Sequence, residues 1–158
     1  MGAGKTTVGK LLAKNLGKTF YDTDQVIESR TGVKIPTIFE LEGEAGFRKR
    51  ESAMIEELSQ LDNIVMATGG GAVIAEENRQ WLKQHGYVIY LRANVNDLWH
   101  RMRNDKHRPL LQNVDVRAKL EQLYHQRNPL YTETASLIVD TGSQPVTNIL
   151  NQIELAFK

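Results

Sequence analysis

The chain has 158 residues, no cysteine and a formal net charge of +1. That length suits one domain with its own core, the charge gives no bulk attraction to nucleic acid, and the missing thiols exclude disulfides and thiolate metal sites. No apolar run approaches the roughly 20 residues that span a bilayer and no signal-peptide pattern opens the chain, so a cytoplasmic protein without a membrane partner is expected.

Met1-Gly2-Ala3-Gly4-Lys5-Thr6-Thr7 contains the second half of a phosphate-binding loop, G-x-x-x-x-G-K-[ST]. The pattern's first glycine would fall two residues before Met1. Gly2, Ala3 and Gly4 are small enough for successive backbone N–H groups to surround a phosphate. Lys5 is placed to reach the β- and γ-phosphates, and the Thr6 hydroxyl to ligate Mg²⁺. Thr6 and Thr7 open a helix whose N-terminus favours the same anion. Val8, Leu11, Leu12 and Leu16 follow at helical spacing, and Gly17 stops them. A plain glycine turn capping a helix is the competing reading.

Downstream, strands and helices alternate. A short strand over Thr19–Tyr21 leads to Asp22-Thr23-Asp24, and a helix through Val26, Ile27 and Arg30 stops at Gly32. Thr37-Ile38-Phe39-Glu40 has the spacing of a capping box. A longer helix from about Glu44 to Leu61 shows Phe47, Met54, Leu58 and Leu61 on one side. The apolar run Ile64–Thr68 reads as a strand entering Gly69-Gly70-Gly71. A helix near Glu76–Gln84, a strand Tyr87–Leu91 and a helix Asp97–Arg103 precede a polar, basic segment reaching about Val116. A helix to Gln126, a strand Leu137–Asp140 and a closing helix with Pro145 in its first turn complete the chain. Apolar strands separated by helices predict an α/β fold, a parallel sheet with helices on both faces. Such sheets bind ligands at the carboxyl ends of their strands, where Asp22, Asp24 and the three glycines fall.

Asp22 and Asp24 could serve a metal and an acceptor hydroxyl. One carboxylate would support Mg²⁺, through water, and the other would take a proton from the hydroxyl. Asp24 also reads as a helix N-cap. Arg48 and Glu51 share a helix face, so the acid can orient the guanidinium; taken alone, the two favour a surface ion pair. Gly69, Gly70 and Gly71 let a ligand approach the backbone, or form a flexible link. Arg127-Asn128-Pro129 predicts a helix end, with Arg127 in its last turn. Arg108-Pro109-Leu110-Leu111 follows an irregular basic stretch and could be a lid bringing an arginine to a phosphate. His100 and His125 read as ordinary helix residues.

G-A-G-K-T-T, F-Y-D-T-D, G-F-R-K-R-E, A-T-G-G-G, R-P-L-L and R-N-P-L-Y, in that order, make the whole chain resemble shikimate kinase. The resemblance implies a P-loop kinase domain spanning 1–158, with strand order 2-3-1-4-5, a shikimate-binding segment at about 24–61 and a lid at about 101–116. It implies transfer of the ATP γ-phosphate to the 3-hydroxyl of shikimate, a step toward chorismate and the aromatic amino acids, by a monomer with Mg²⁺ as cofactor. Asp24, Arg48, Gly70 and Arg127 would bind shikimate, Asp24 at its hydroxyls and the arginines at its carboxylate, with Gly69 and Gly71 beside them. Asp22 and Thr6 would serve the metal, and Lys5, Asp24 and Arg108 the transfer. Arg101 would pack on adenine, with the loop around Pro145 bordering it. Gluconate or a nucleoside monophosphate as acceptor, or a non-catalytic nucleotide-binding module, are the alternatives.

In that family the strand leading into the loop is central, and it is absent from this sequence. Such a strand buries four or five aliphatic side chains at roughly 1.5–3 kcal/mol each, an amount comparable to the whole stability of a domain, about 5–15 kcal/mol. A chain without it is expected to fold poorly or lack activity, with a gap in its sheet.

Overall fold

A computed structural model describes the backbone of residues 4–102, 116–142 and 144–157, and their side chains except those of 100–102 and 116. In chain order the elements are α1 (Lys5–Leu16), β1 (Thr19–Asp22), α2 (Thr23–Thr31), α3 (Ile35–Ser59), β2 (Ile64–Ala67), α4 (Glu76–His85), β3 (Ile89–Arg92), α5 (Val95–Met102), α6 (Val116–Thr134), β4 (Leu137–Asp140) and α7 (Val146–Phe157). A 3₁₀ turn at Gly70–Ile74 joins β2 to α4. No helix among the described residues is long and apolar enough to cross a membrane.

The strands are parallel but form two separate pairs. β1 lies beside β2 with Asp22 opposite Ala67, and β3 beside β4 with Arg92 opposite Asp140. Between the pairs runs a cavity of about 480 Å³, lined by Val65 and Met66 of β2, Ile89 and Leu91 of β3, Leu12 of α1 and Ile153 of α7. Every residue of β2 and β3 is only half-buried, although strands covered on both faces normally pack away from water. The gap stands where the order 2-3-1-4-5 places its first strand. What joins the halves is a helix layer: Val8 and Leu12 of α1 pack with Val139 of β4 and Ile149, Leu150 and Ile153 of α7.

A second core packs against the first strand pair. Ile27, Ile38, Phe47, Met54 and Leu58 join α2 to α3, with Phe39 stacked on Phe47 at 4.9 Å. Helix α3 breaks at Gly43, whose φ of 72° and ψ of 178° are open to glycine. The segment after this break is the long helix expected from Glu44. Leu61 falls beyond its end and is 45 % exposed, so it does not extend the apolar face. Nor does Thr37-Ile38-Phe39-Glu40 start the helix. Lys34 holds the cap position and Pro36 occupies the first turn, where proline's missing N–H costs nothing, so Thr37 lies inside. Pro145 likewise precedes α7 rather than opening it; its carbonyl accepts the first helical bonds, from Asn148 and Ile149.

Proline does not end α6. The helix runs through Pro129 to Thr134, so Arg127 is mid-helix and not in a last turn. Pro129 is exposed, as is His125, whose carbonyl loses the proline N–H and can turn to water instead. Beyond it the Thr132 and Thr134 hydroxyls donate to the carbonyls of Asn128 (2.8 Å) and Leu130 (2.7 Å), and Ala135 N–H bonds the Tyr131 carbonyl at 2.9 Å. Local hydrogen bonding and packing override the residue-before-proline preference.

Candidate active site

The site is built where α1, β1 and the loop after β2 meet. Gly4, in the left-handed region at φ 80°, turns the chain into α1, whose first N–H groups have no intrahelical acceptors. The Thr6 hydroxyl donates to Asp22 Oδ2 at 3.3 Å. The other oxygen of that carboxylate accepts the N–H groups of Asp24 (2.9 Å) and Gln25 (3.2 Å). Asp22, not Asp24, is therefore the N-cap of α2, which leaves the Asp24 carboxylate unused by the helix end. Asp22 thus ties the start of α1 to the start of α2.

Asp24 stands in the first turn of α2, with Oδ1 buried and without a hydrogen-bond partner. Burial, then the Asp22 charge, pushes its pKa above the usual carboxylate range, against the pull of Lys5 and Arg48. Across from it lies Gly69. A Cβ there would meet Glu51 Oε2 at 3.3 Å and both Asp24 carboxylate oxygens at 3.6 Å. A Cβ on Gly71 would lie 2.6 Å from Arg48 Cζ, inside its guanidinium. The glycines are thus a close approach to three charged side chains, not a flexible link.

Arg48 is held from three sides. It donates to Glu51 Oε1 at 2.9 Å and Glu44 Oε1 at 3.3 Å, and its Cζ sits 5.2 Å from the Phe47 ring centroid. Glu51 is only 1 % exposed, so this is no surface ion pair. Burial raises the Glu51 pKa, opposed by the Arg48 charge and hydrogen bond, with a smaller pull from Arg127. Arg127 itself is buried on α6.

Six buried side-chain polar atoms lack a hydrogen-bond partner among the described residues: Thr23 Oγ1, Asp24 Oδ1, Arg48 Nε, Glu51 Oε2, Asn78 Oδ1 and Arg127 Nε. Four of these belong to the two acids and two arginines around Gly69–Gly71. Unpaired buried polar groups are costly, and such a cluster is what a polar ligand satisfies. Two cationic forks suit a carboxylate, and the acids suit hydroxyls.

Of the residues expected to act, Gly4, Lys5, Thr6, Asp22, Asp24, Arg48, Gly69, Gly70, Gly71 and Arg127 fall at this end of the molecule, with Lys5, Gly69, Gly70 and Arg127 lining the mouth of the cavity between the strand pairs. Thr7, in the first turn of α1, is exposed. Pro145 is exposed beyond the carboxyl end of β4. Gly2, Ala3, Arg108 and most of the expected lid lie outside the described residues, as does the Arg101 side chain. Sequence reasoning assigned no role to Tyr131, whose hydroxyl donates to the Gly70 carbonyl at 2.5 Å. Its spacing of four from Arg127 was the available signal, hidden by the expectation that the helix stops at Gln126.

For the metal, Thr6 and Asp22 offer an oxygen pair, the donor chemistry that Mg²⁺ takes alongside phosphate oxygens and water. The described residues contain no group of three or more His, Cys, Asp or Glu able to hold an ion by themselves, so the fit is to a metal arriving with its phosphates.

The sequence pattern of the shikimate kinase family matches residues 1–157. A shikimate kinase of Burkholderia pseudomallei is 58 % identical over 153 residues, covering 97 % of this chain and 83 % of the relative. The structure of shikimate kinase from Acinetobacter baumannii in complex with shikimate superposes with a TM-score of 0.95 at 45 % identity, covering 99 % of this chain and 88 % of that one. A gluconokinase from Sinorhizobium meliloti matches at a TM-score of 0.55 and 17 % identity, over 96 % of this chain and 83 % of that one; this likeness shows the fold alone.

Proposed function

The chain belongs to the shikimate kinase family, and from that membership together with the site we infer that it transfers the γ-phosphate of ATP to the 3-hydroxyl of shikimate, giving shikimate 3-phosphate and ADP. The observation that carries the choice of acceptor is the set of four unpaired polar atoms on Asp24, Arg48, Glu51 and Arg127. A carboxylated polyol satisfies arginines and acids together. Gluconate lacks the compact ring that such a close pocket fits, and a nucleotide base has no carboxylate for the arginines.

In our reading Arg48 and Arg127 grip the shikimate carboxylate, and the Gly69–Gly71 backbone lies against its ring. Asp24 accepts the hydrogen bond of the 3-hydroxyl. As the oxygen attacks the γ-phosphorus, the bond from that phosphorus to the β–γ bridging oxygen breaks, ADP leaves, and the hydroxyl proton passes to Asp24. The raised Asp24 pKa suits a group that must both lose and regain a proton. Lys5 and the N–H groups of Gly2, Ala3, Gly4, Thr6 and Thr7 hold the phosphates. Thr6 and Asp22, directly or through water, would hold Mg²⁺, and the chemistry it supplies when bound is neutralisation of phosphate charge. By family likeness, Arg108 serves the transferring phosphate from a lid at about 101–116, Arg101 and the loop around Pro145 border adenine, and residues 24–61 form the acceptor segment of a single domain. We read the protein as a cytoplasmic monomer.

A coupled ADP-release assay across shikimate, gluconate and AMP tests the reading. Turnover with shikimate at least ~100-fold above the others is expected, the discrimination a site gains by pairing its buried polar groups. Equal turnover with gluconate or AMP would overturn it.

A further inference from the structure

Tyr131 touches both halves of the acceptor site. Its hydroxyl donates to the Gly70 carbonyl, and the positive charge of Arg127, one turn earlier on α6, opposes the upward pull of burial on its pKa. The ring lies 4.7 Å from that of Tyr90 on β3, whose own hydroxyl is engaged 2.9 Å from Asn128 Oδ1. We propose that Tyr131 is a positioning residue for the acceptor: its hydroxyl holds the orientation of the Gly70–Gly71 peptide.

The polarity of the contact permits only one arrangement. A backbone carbonyl can only accept, so the phenol gives its hydrogen to Gly70. The carbonyl and N–H of a trans peptide point in opposite directions, so holding the Gly70 carbonyl on Tyr131 aims the Gly71 N–H away from it. The 3₁₀ turn at Gly70–Ile74 shapes this peptide from within, and the phenol adds a contact to its carbonyl from α6. Gly71 is also the residue that lies against the Arg48 guanidinium, so the orientation set at Tyr131 is felt at the second arginine.

This inference rests on the reading of Arg127 and Gly70 as acceptor ligands, and its test separates the two. Steady-state constants are measured for the wild type, Tyr131→Phe, Tyr90→Phe and Arg127→Ala, with Tm for each. Tyr131→Phe keeps the ring and is expected to raise KM for shikimate about fivefold, the factor carried by one hydrogen bond between neutral groups, with KM for ATP and Tm nearly unchanged. Tyr90→Phe removes the neighbouring hydroxyl and should leave KM for shikimate within about twofold. If Arg127→Ala raises KM for shikimate but Tyr131→Phe does not, or if both phenylalanine variants raise it alike, Tyr131 has no positioning role. If Arg127→Ala leaves KM for shikimate unchanged, the acceptor reading fails and this inference with it.

Discussion

Arg48 Nη1 lies 2.9 Å from Glu51 Oε1 one turn along α3, and the acid is buried while the arginine keeps a quarter of its side chain exposed. The pair therefore works in one direction: a fixed carboxylate holds a guanidinium that faces the pocket. Glu51→Gln keeps the shape and weakens the hold, and is expected to raise KM for shikimate ~10-fold. Glu51→Ala leaves Arg48 with only Glu44 and opens a cavity, costing about 1–3 kcal/mol in urea unfolding. A Gln variant with wild-type KM would remove Glu51 from acceptor binding.

Asp24 carries a stability cost that its chemistry requires. Burial and Asp22 hold its pKa above the ordinary value of 3.8, so ionisation disfavours the folded state. That cost is absent below 3.8, grows as pH rises through the folded-state pKa, and is complete above it. Asp24→Asn cannot ionise. At pH 7 it is expected to lose ~10²–10⁴ in kcat and to gain ~2–4 °C in Tm, about 1 kcal/mol for a domain this size. The Tm gain should vanish in acid. A variant that is both inactive and less stable at pH 7 would contradict this account of the site.

Gly71→Ala is a probe of the close approach. The new methyl would fall within the Arg48 guanidinium, 2.6 Å from Cζ, and must push it off Glu51. KM for shikimate should rise ~10-fold or more, with KM for ATP unchanged because Lys5 and Thr6 are untouched. Unequal effects on the two substrates are the check; equal effects point to a misfolded loop.

The cleft between β2 and β3 makes a prediction about stability. An apolar strand of about five residues, fused ahead of Gly2, should pair with both strands and bury aliphatic side chains worth roughly 6–15 kcal/mol before chain-ordering costs. Thermal unfolding by circular dichroism should then shift up by at least ~10 °C, and binding of the hydrophobic dye ANS should fall. Unchanged Tm and dye binding would mean that the cleft is not a strand site.

Much of this was legible in the sequence. Gly17 and Gly32 stop their helices as read, and both take the left-handed conformation that favours glycine. The paired strands come from short, largely apolar runs, and Asp22 and the three glycines stand at or just beyond their carboxyl ends, so the place of the candidate site is legible in the pattern. The burial of Glu51 did not, because charge on a helix says nothing about what packs over it; only the glycine turn descending on α3 decides that. The cap was misplaced by two residues because Asp22 and Asp24 have equal propensity, and the backbone path at the end of β1 chooses between them. Pro129 misled for a similar reason. Its local preference is real, but its exposed position and the bonds of Thr132 and Thr134 make the cost small enough for packing to win.

In the proposed function Lys5, Asp24, Arg48 and Arg127 act as one site that joins a nucleotide to a carboxylated polyol. ³¹P NMR of the chain with an apolar strand fused ahead of Gly2, incubated with ATP, Mg²⁺ and shikimate, is the sharpest test, with Lys5→Ala in the same background alongside. A single new phosphomonoester resonance, coupled to the proton at carbon 3 of shikimate, is expected, together with its loss in Lys5→Ala. Phosphate on another position, or the same product at the same rate from Lys5→Ala, would contradict it.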